Sequence, residues 1–184
     1  MRKGRPDEKG HRVRHDQDRD CEEHKQDPRH NASTTEKDVD YRGHGIQFRH
    51  PSDWSLVEDV GPGETTIAIH SPGTSYWTLT LLDDAPDPND ILETVLDAYR
   101  DEYKDIDVYE STPKLSVSAI ACDLDFVCLD LVNSVTVLAV RTNRRTVLIV
   151  AQGTDHELEL TRSVMESITK SFSCEEGLSV EYEL

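Results

Sequence analysis

The residues with most chemistry to offer in this chain are its histidines, cysteines and clustered carboxylates. His44 and His50 flank one expected strand and His70 ends another, so neighbouring strands would let them converge. Two imidazoles and a carboxylate can hold a metal or serve as acid and base, which makes His44, His50 and His70 the only metal candidates, and weak ones. His11, His15, Cys21, His24 and His30 lie nearer the start but lack the paired Cys-x-x-Cys spacing of a zinc site. His156 falls in the first turn of an expected helix, an ordinary surface position. Gly73-Thr-Ser-Tyr-Trp77 is no Gly-x-Ser-x-Gly elbow, and Gly61-Pro-Gly-Glu64 has neither the spacing nor the Lys of a phosphate loop. Asp83 to Asp90 lacks the central Gly and closing Glu of a calcium loop. No catalytic residue and no cofactor is assigned, and a non-enzymatic protein is expected.

The carboxylates are more informative. Asp87 reads as a helix N-cap, with Pro88 at the first helical position and Asp90 at the third. In the helix that follows, to about Lys104, Leu92, Val95, Leu96, Tyr99 and Tyr103 share one side. Asp90, Glu93, Asp97 and Asp101 share the other. Like charges three and four apart cost a few tenths of a kcal/mol per pair, so this strip is either a solvated face or a docking strip for a basic partner. A second helix offers a contrast. Thr154 and Glu157 form a capping box, Leu158, Val164, Met165, Ile168 and Phe172 form a buried stripe, and Glu159, Arg162, Glu166 and Lys170 alternate in sign outside.

Charge bounds the partners. Residues 1–40 hold 10 Lys/Arg against 11 Asp/Glu and residues 41–184 hold 10 against 26, so the net charge of −17 falls almost wholly on the second part. Such a surface repels phosphates, which argues against nucleic acid and anionic membranes and favours a basic protein partner. No run is long and apolar enough to insert in a membrane. Met1-Arg-Lys-Gly-Arg5 is not followed by the apolar core of a secretory signal, and Cys122 and Cys128 read as reduced core residues, so a cytoplasmic setting is expected.

The elements that must position these groups centre on Leu115 to Ala151, which reads as three long strands. Ile120, Cys122, Leu124, Phe126 and Cys128 alternate with Ala121, Asp123, Asp125 and Val127, a period-2 pattern. Leu131-Val-Asn-Ser134 is the expected turn. Val135–Val140 runs back, and after Thr142-Asn-Arg-Arg145 a third strand, Val147–Ala151, follows until Gly153 ends it. Short connections join antiparallel neighbours. The later two strands are apolar on both faces. One helix per face would cover them, whereas two on one face would leave an apolar patch and room for a homodimer. Earlier, Gly45–Arg49 and Trp54–Val57 flank a turn at His50-Pro-Ser-Asp53, and Thr65–His70 with Tyr76–Leu82 make a hairpin carrying Trp77, Leu79 and Leu81 on one face. Residues 1–40, charged and almost free of large apolar side chains, are expected to be disordered.

Gly45-Ile-Gln-Phe-Arg-His-Pro-Ser-Asp-Trp54, the long meander and a last helix ending in Ile168-Thr-Lys-Ser-Phe172 together resemble the PsbP-like superfamily. That superfamily includes the photosystem II extrinsic subunit P, a Ran-binding nuclear import factor, bacterial lipoproteins and type VI secretion effector chaperones. The resemblance covers about 41–173. It implies an antiparallel sheet with helices packed on it, usually without catalysis and usually serving to bind another protein. The expected fold is α+β, a twisted antiparallel sheet with two packed helices over 41–173, then a tail, 174–184, whose alternation at Leu178, Val180, Tyr182 and Leu184 could add a strand. The expected function is a protein-binding, adaptor or chaperone-like module, using the acidic strip or the exposed part of the sheet. The alternative is a small-ligand or metal-binding domain.

Overall fold

The computed structural model describes residues 37–111, 119–175 and 178–179. Among these described residues eleven strands and two helices follow in the order β1 (Asp38–Gly43), β2 (Ile46–Pro51), β3 (Ser55–Gly61), β4 (Glu64–His70), β5 (Tyr76–Leu82), α1 (Pro88–Glu102), β6 (Ile106–Ser111), β7 (Ala119–Cys128), β8 (Leu131–Arg141), β9 (Thr146–Thr154), α2 (Asp155–Ser171), β10 (Ser173–Cys174) and β11 (Leu178–Ser179). They form a seven-stranded sheet, β3-β4-β5-β9-β8-β7-β6, and a four-stranded one, β1-β2-β10-β11. Every neighbouring pair is antiparallel.

The period-2 patterns explain how the layers stack. On one face of the large sheet Trp77, Leu79, Leu81, Leu138, Val140, Val147 and Ile149 meet α2 and the small sheet through Ile46, Phe48, Met165, Ile168 and Phe172. On the other face Cys122, Leu124, Phe126, Val135 and Val137 meet α1 through Leu96, Leu92, Val95, Tyr99 and Tyr103. One helix therefore lies on each face, and the strands that are apolar on both sides are buried on both sides. Phe48 packs on Trp77 with ring centroids 5.0 Å apart, and the Trp77 indole N–H donates to Thr169 Oγ1 at 2.9 Å. Asp87 caps α1 as expected, its carboxylate accepting from the Asn89 N–H.

Several expectations are corrected. β7 is one uninterrupted strand, but its turn is Leu129-Asp130, not Leu131–Ser134. Both turn residues have positive φ, 54° and 63°, the hand that suits a two-residue hairpin between right-twisted strands. Asn133 and Ser134, the better turn formers, pair with Phe126 and Asp125 inside the ladder. Strand β9 does not stop at Gly153 but continues through Thr154, where α2 begins. The capping box does not form. Thr154 makes no side-chain cap bond, and Glu157 instead reaches the β4–β5 loop. A strand also precedes the expected domain start: β1 begins at Asp38 and runs along β2, with Tyr41 stacked on Phe48 at 4.8 Å. Leu178-Ser179 pairs with Ser173-Cys174, while Val180, Tyr182 and Leu184 of the expected tail strand lie outside the described residues. The expected disorder of residues 1–40, and the tail histidines with Cys21, fall outside the described residues except for 37–40.

Candidate functional site

The three histidines are not brought together. His44 sits in the β1–β2 turn with φ 52°, beside Gly45 at φ 75°, and its Nε2 contacts the Glu58 carboxylate on β3. His50 is buried, its Nδ1–H donating to the Pro51 carbonyl at 2.9 Å. His70 ends β4 with its ring beside Tyr76. His44 and His50 lie at opposite ends of β2, roughly 20 Å apart at the rise of a strand. Among the described residues no three His, Cys, Asp or Glu side chains are grouped to hold a metal. The strip Asp90, Glu93, Asp97 and Asp101 lies on the exposed outer side of α1. Arg100 donates to Asp97 at 2.9 Å, so one of its four charges is partly neutralised by its own helix.

A concave surface lies on the opposite side of the large sheet. Register places Ser111, Ala121 and Leu138 in one row across β6, β7 and β8. The next row holds Tyr109, Asp123, Thr136 and Ala151, and the row after it Asp107, Asp125, Ser134 and Gly153. Helix α2 lies over β9 and β8, held close by Gly153, where an added Cβ would meet the Leu158 side chain at 3.0 Å. Beyond α2 the sheet carries on. Tyr109 is 50 % exposed there, and Asp107 is exposed too.

Where helix and sheet part, a cleft of about 250 Å³ opens, lined from the sheet by Ser111, Ala121, Asp123, Ser134, Thr136 and Ala151. From α2 come Leu158, Arg162, Met165, Glu166 and Lys170. Small side chains on the strands give it depth, and Leu158 with Met165 gives it an apolar wall. Asp123 accepts a hydrogen bond from Thr136 Oγ1 at 2.6 Å, which fixes one carboxylate at the mouth. Lys170 reaches Glu166 at 3.6 Å across one helical turn. Asp107 stands directly opposite Asp125 across β6–β7, and like charges so placed oppose the pairing. Burial, with Asp123 beside it, pushes the Cys122 thiol up to about 11, so it stays protonated and unreactive.

In chemical terms the cleft offers an apolar wall, Leu158 with Met165, and a lining that carries both signs of charge, Asp123 and Glu166 with Arg162 and Lys170. The surplus of negative charge lies on the sheet side, where Asp123 is followed in the next row by Asp125 and Asp107, and such carboxylates accept from Lys or Arg side chains whose stems pack on apolar surface. The clue was present in β7 itself, in the residues between the apolar ones: Ala121, Asp123, Asp125 and Val127 line this face. Which neighbours would join them depended on a register between strands that no local pattern specifies.

No protein-family model matches the chain, and no curated protein sequence matches it. Among solved structures, it is similar to the cyanobacterial PsbP (CyanoP) of Synechocystis sp. PCC 6803, at 13 % identity over 78 % of this chain and 95 % of that one, with a TM-score of 0.51. A second solved structure is LpqN, involved in cell envelope biogenesis of Mycobacterium tuberculosis, at 12 % identity over 74 % and 90 % with a TM-score of 0.42. No helix among the described residues is long and apolar enough to cross a membrane. At these identities the likeness concerns architecture alone, and it agrees with the resemblance read from the sequence: the chain has the PsbP-like fold, an α+β arrangement of antiparallel sheets with two helices.

Proposed function

We propose that the domain is a non-enzymatic binding module that holds a basic protein segment on the open face of β6, β7 and β8 and in the cleft beside α2. The observation that carries this is the continuation of the sheet past α2, with Asp107, Asp123 and Asp125 in two adjacent rows on a side that no other described element covers. Three further points support it. The carboxylates stand where sheet stability alone would not put them, Asp107 against Asp125. Asp123 on the sheet side of the cleft, with Asp107 and Asp125 in the next row, can accept from a Lys or Arg side chain. The net charge of −17 raises the local concentration of cations and steers basic partners. The α1 strip has similar charge on the outer face of a helix rather than beside the cleft, so it provides the natural control.

The test compares two charge-altered full-length chains, Asp107→Lys with Asp125→Lys on the sheet face, and Asp90→Lys with Glu93→Lys on α1. Circular dichroism checks that each keeps its fold. Titration with a Lys/Arg-rich peptide at low salt should show affinity reduced about tenfold or more by the sheet-face pair, since each exposed ion pair contributes about 0.2–1 kcal/mol and reversal adds repulsion. The α1 pair should have a smaller effect. Equal losses would reduce the reading to bulk charge, and a loss only in the α1 pair would move the site to the strip.

A further inference from the structure

The β7–β8 hairpin projects past β6: Ile106 is paired with Phe126, while Val127 to Leu131 run on beyond the start of β6. Its tip is apolar and open. Leu129 is 90 % exposed, Val127 64 %, and Leu131 and Val132 41 % each. Leu129 and Asp130 are both left-handed, a conformation that favours Asn followed by Gly at such turns. A leucine there is unfavourable twice, once for its backbone and once for its hydration, and neither cost contributes to the fold. Residues that strain the chain without stabilising it cluster where something binds.

The surroundings say what kind of surface covers the tip. Val127 pairs with Val132, and both share a face with Asp125, Asp107 and Ser134, while Asp130 stands at the apex beside Leu129. The aliphatic patch is thus bordered by carboxylates. Two such tips facing each other would oppose their aspartates, which disfavours a second copy, and the same charges disfavour an anionic bilayer. The patch also continues the surface proposed above. Along β7 the face reads Ala121, Asp123, Asp125, Val127, at steps of about 6.7 Å. Residues four apart on a helix are spaced by about 6 Å, so a helix lying along β7 can set residues of one face against successive positions.

We propose that the Val127–Val132 tip is the apolar anchor of this surface. The partner is a cationic amphipathic helix whose Lys or Arg residues meet Asp123 and Asp125 and whose aliphatic residues pack on Val127, Leu129 and Val132. This rests on the basic-segment reading and specifies the partner's chemistry.

The experiment uses the full chain, its Leu129→Asn variant, a synthetic Leu/Lys amphipathic helix and a control peptide with Ser for every Leu and the same charge. Calorimetric titration should show the wild-type chain binding the Leu/Lys peptide at least tenfold tighter than the control. Leu129→Asn should remove that difference, leave the control's affinity unchanged and raise Tm, because Asn suits the turn. If both peptides bind equally to the wild-type chain, the anchor is overturned while the acidic-face reading stands. If neither binds, both fall. A lower Tm for Leu129→Asn would make the leucine a structural residue. Tip-dependent flotation with phosphatidylcholine vesicles, or a tip-dependent dimer in sedimentation, would assign the tip to a bilayer or a second copy and overturn the proposal.

Discussion

Removing the Glu157 carboxylate is the sharpest structural perturbation available, because one side chain ties two distant parts of the chain together. It accepts from the Thr74 N–H at 2.8 Å and 3.0 Å to its two oxygens, and from the Thr74 and Ser75 hydroxyls at 2.8 Å each. In Glu157→Ala the Thr74 donors turn to water and the Ser75 hydroxyl keeps Thr161 as a partner at 2.9 Å, so no donor is left stranded. The cost is then the net value of charge-assisted bonds, about 1.5–3 kcal/mol each in full burial, discounted for an exposed setting to about 2 kcal/mol in total. For a domain of this size that lowers Tm by roughly 4–8 °C. Burial acts to raise the Glu157 carboxyl, but the bonds from Thr74 and Ser75 outweigh it and hold the group below its ordinary value. A carboxylate depressed in the folded state stabilises fully above its unfolded pKa, near 4.5, and loses that contribution as pH falls through the folded value. Thermal melts followed by circular dichroism should therefore separate wild-type and Glu157→Ala at pH 7 and draw them together as pH falls through the lowered folded value. A double-mutant cycle sharpens the point: Glu157→Ala should couple to Thr74→Ala and be additive with Thr154→Ala. Coupling to Thr154 alone, or no change in Tm at pH 7, would refute this account of how α2 is attached.

Three further outcomes follow from the packing. Cys122 and Cys174 are buried free thiols, so a disulfide reagent should modify them only once the chain is unfolded; rapid labelling of the native protein at both would contradict the placement of β7 and β10. Phe126→Ala should cost about 3–5 kcal/mol in denaturant unfolding, because its ring is buried and stacks on Tyr103 at a centroid distance of 3.9 Å; a loss under 1 kcal/mol would show that α1 does not rest on this face. Asp107→Asn should raise stability by a few tenths of a kcal/mol by relieving its opposition to Asp125, and a destabilised variant would mean that the pair is not repulsive.

The long strand and both helix stripes could be read from sequence because burial leaves a regular period: Leu124 and Phe126 face one core and Ala121 the other. The parts that escaped were those set by distant partners or by unfavourable local choices. Strand β1 looks like a charged tail because Asp38, Asp40 and Arg42 point outward, and only Tyr41 against Phe48 shows that it belongs to the sheet. The turn at Leu129-Asp130 carries none of the usual turn residues at its first position, so a pattern search moves it to Asn133. Glu157 fits a capping box by spacing, yet finds better donors 83 residues away. The histidine triad assumed neighbouring strand ends, whereas the topology puts β2 and β4 in different sheets. The cleft assembles from β6, β7, β8, β9 and α2, and no segment of it is distinctive alone.

The most direct test of the proposed role is a map of which backbone amides respond when a cationic amphipathic peptide is titrated into isotopically labelled protein. Tyr109, Ala121, Asp123, Asp125, Val127, Thr136 and Ala151 should shift together while Asp90, Glu93, Asp97 and Asp101 stay still. Shifts confined to α1, or none on β7, would contradict it.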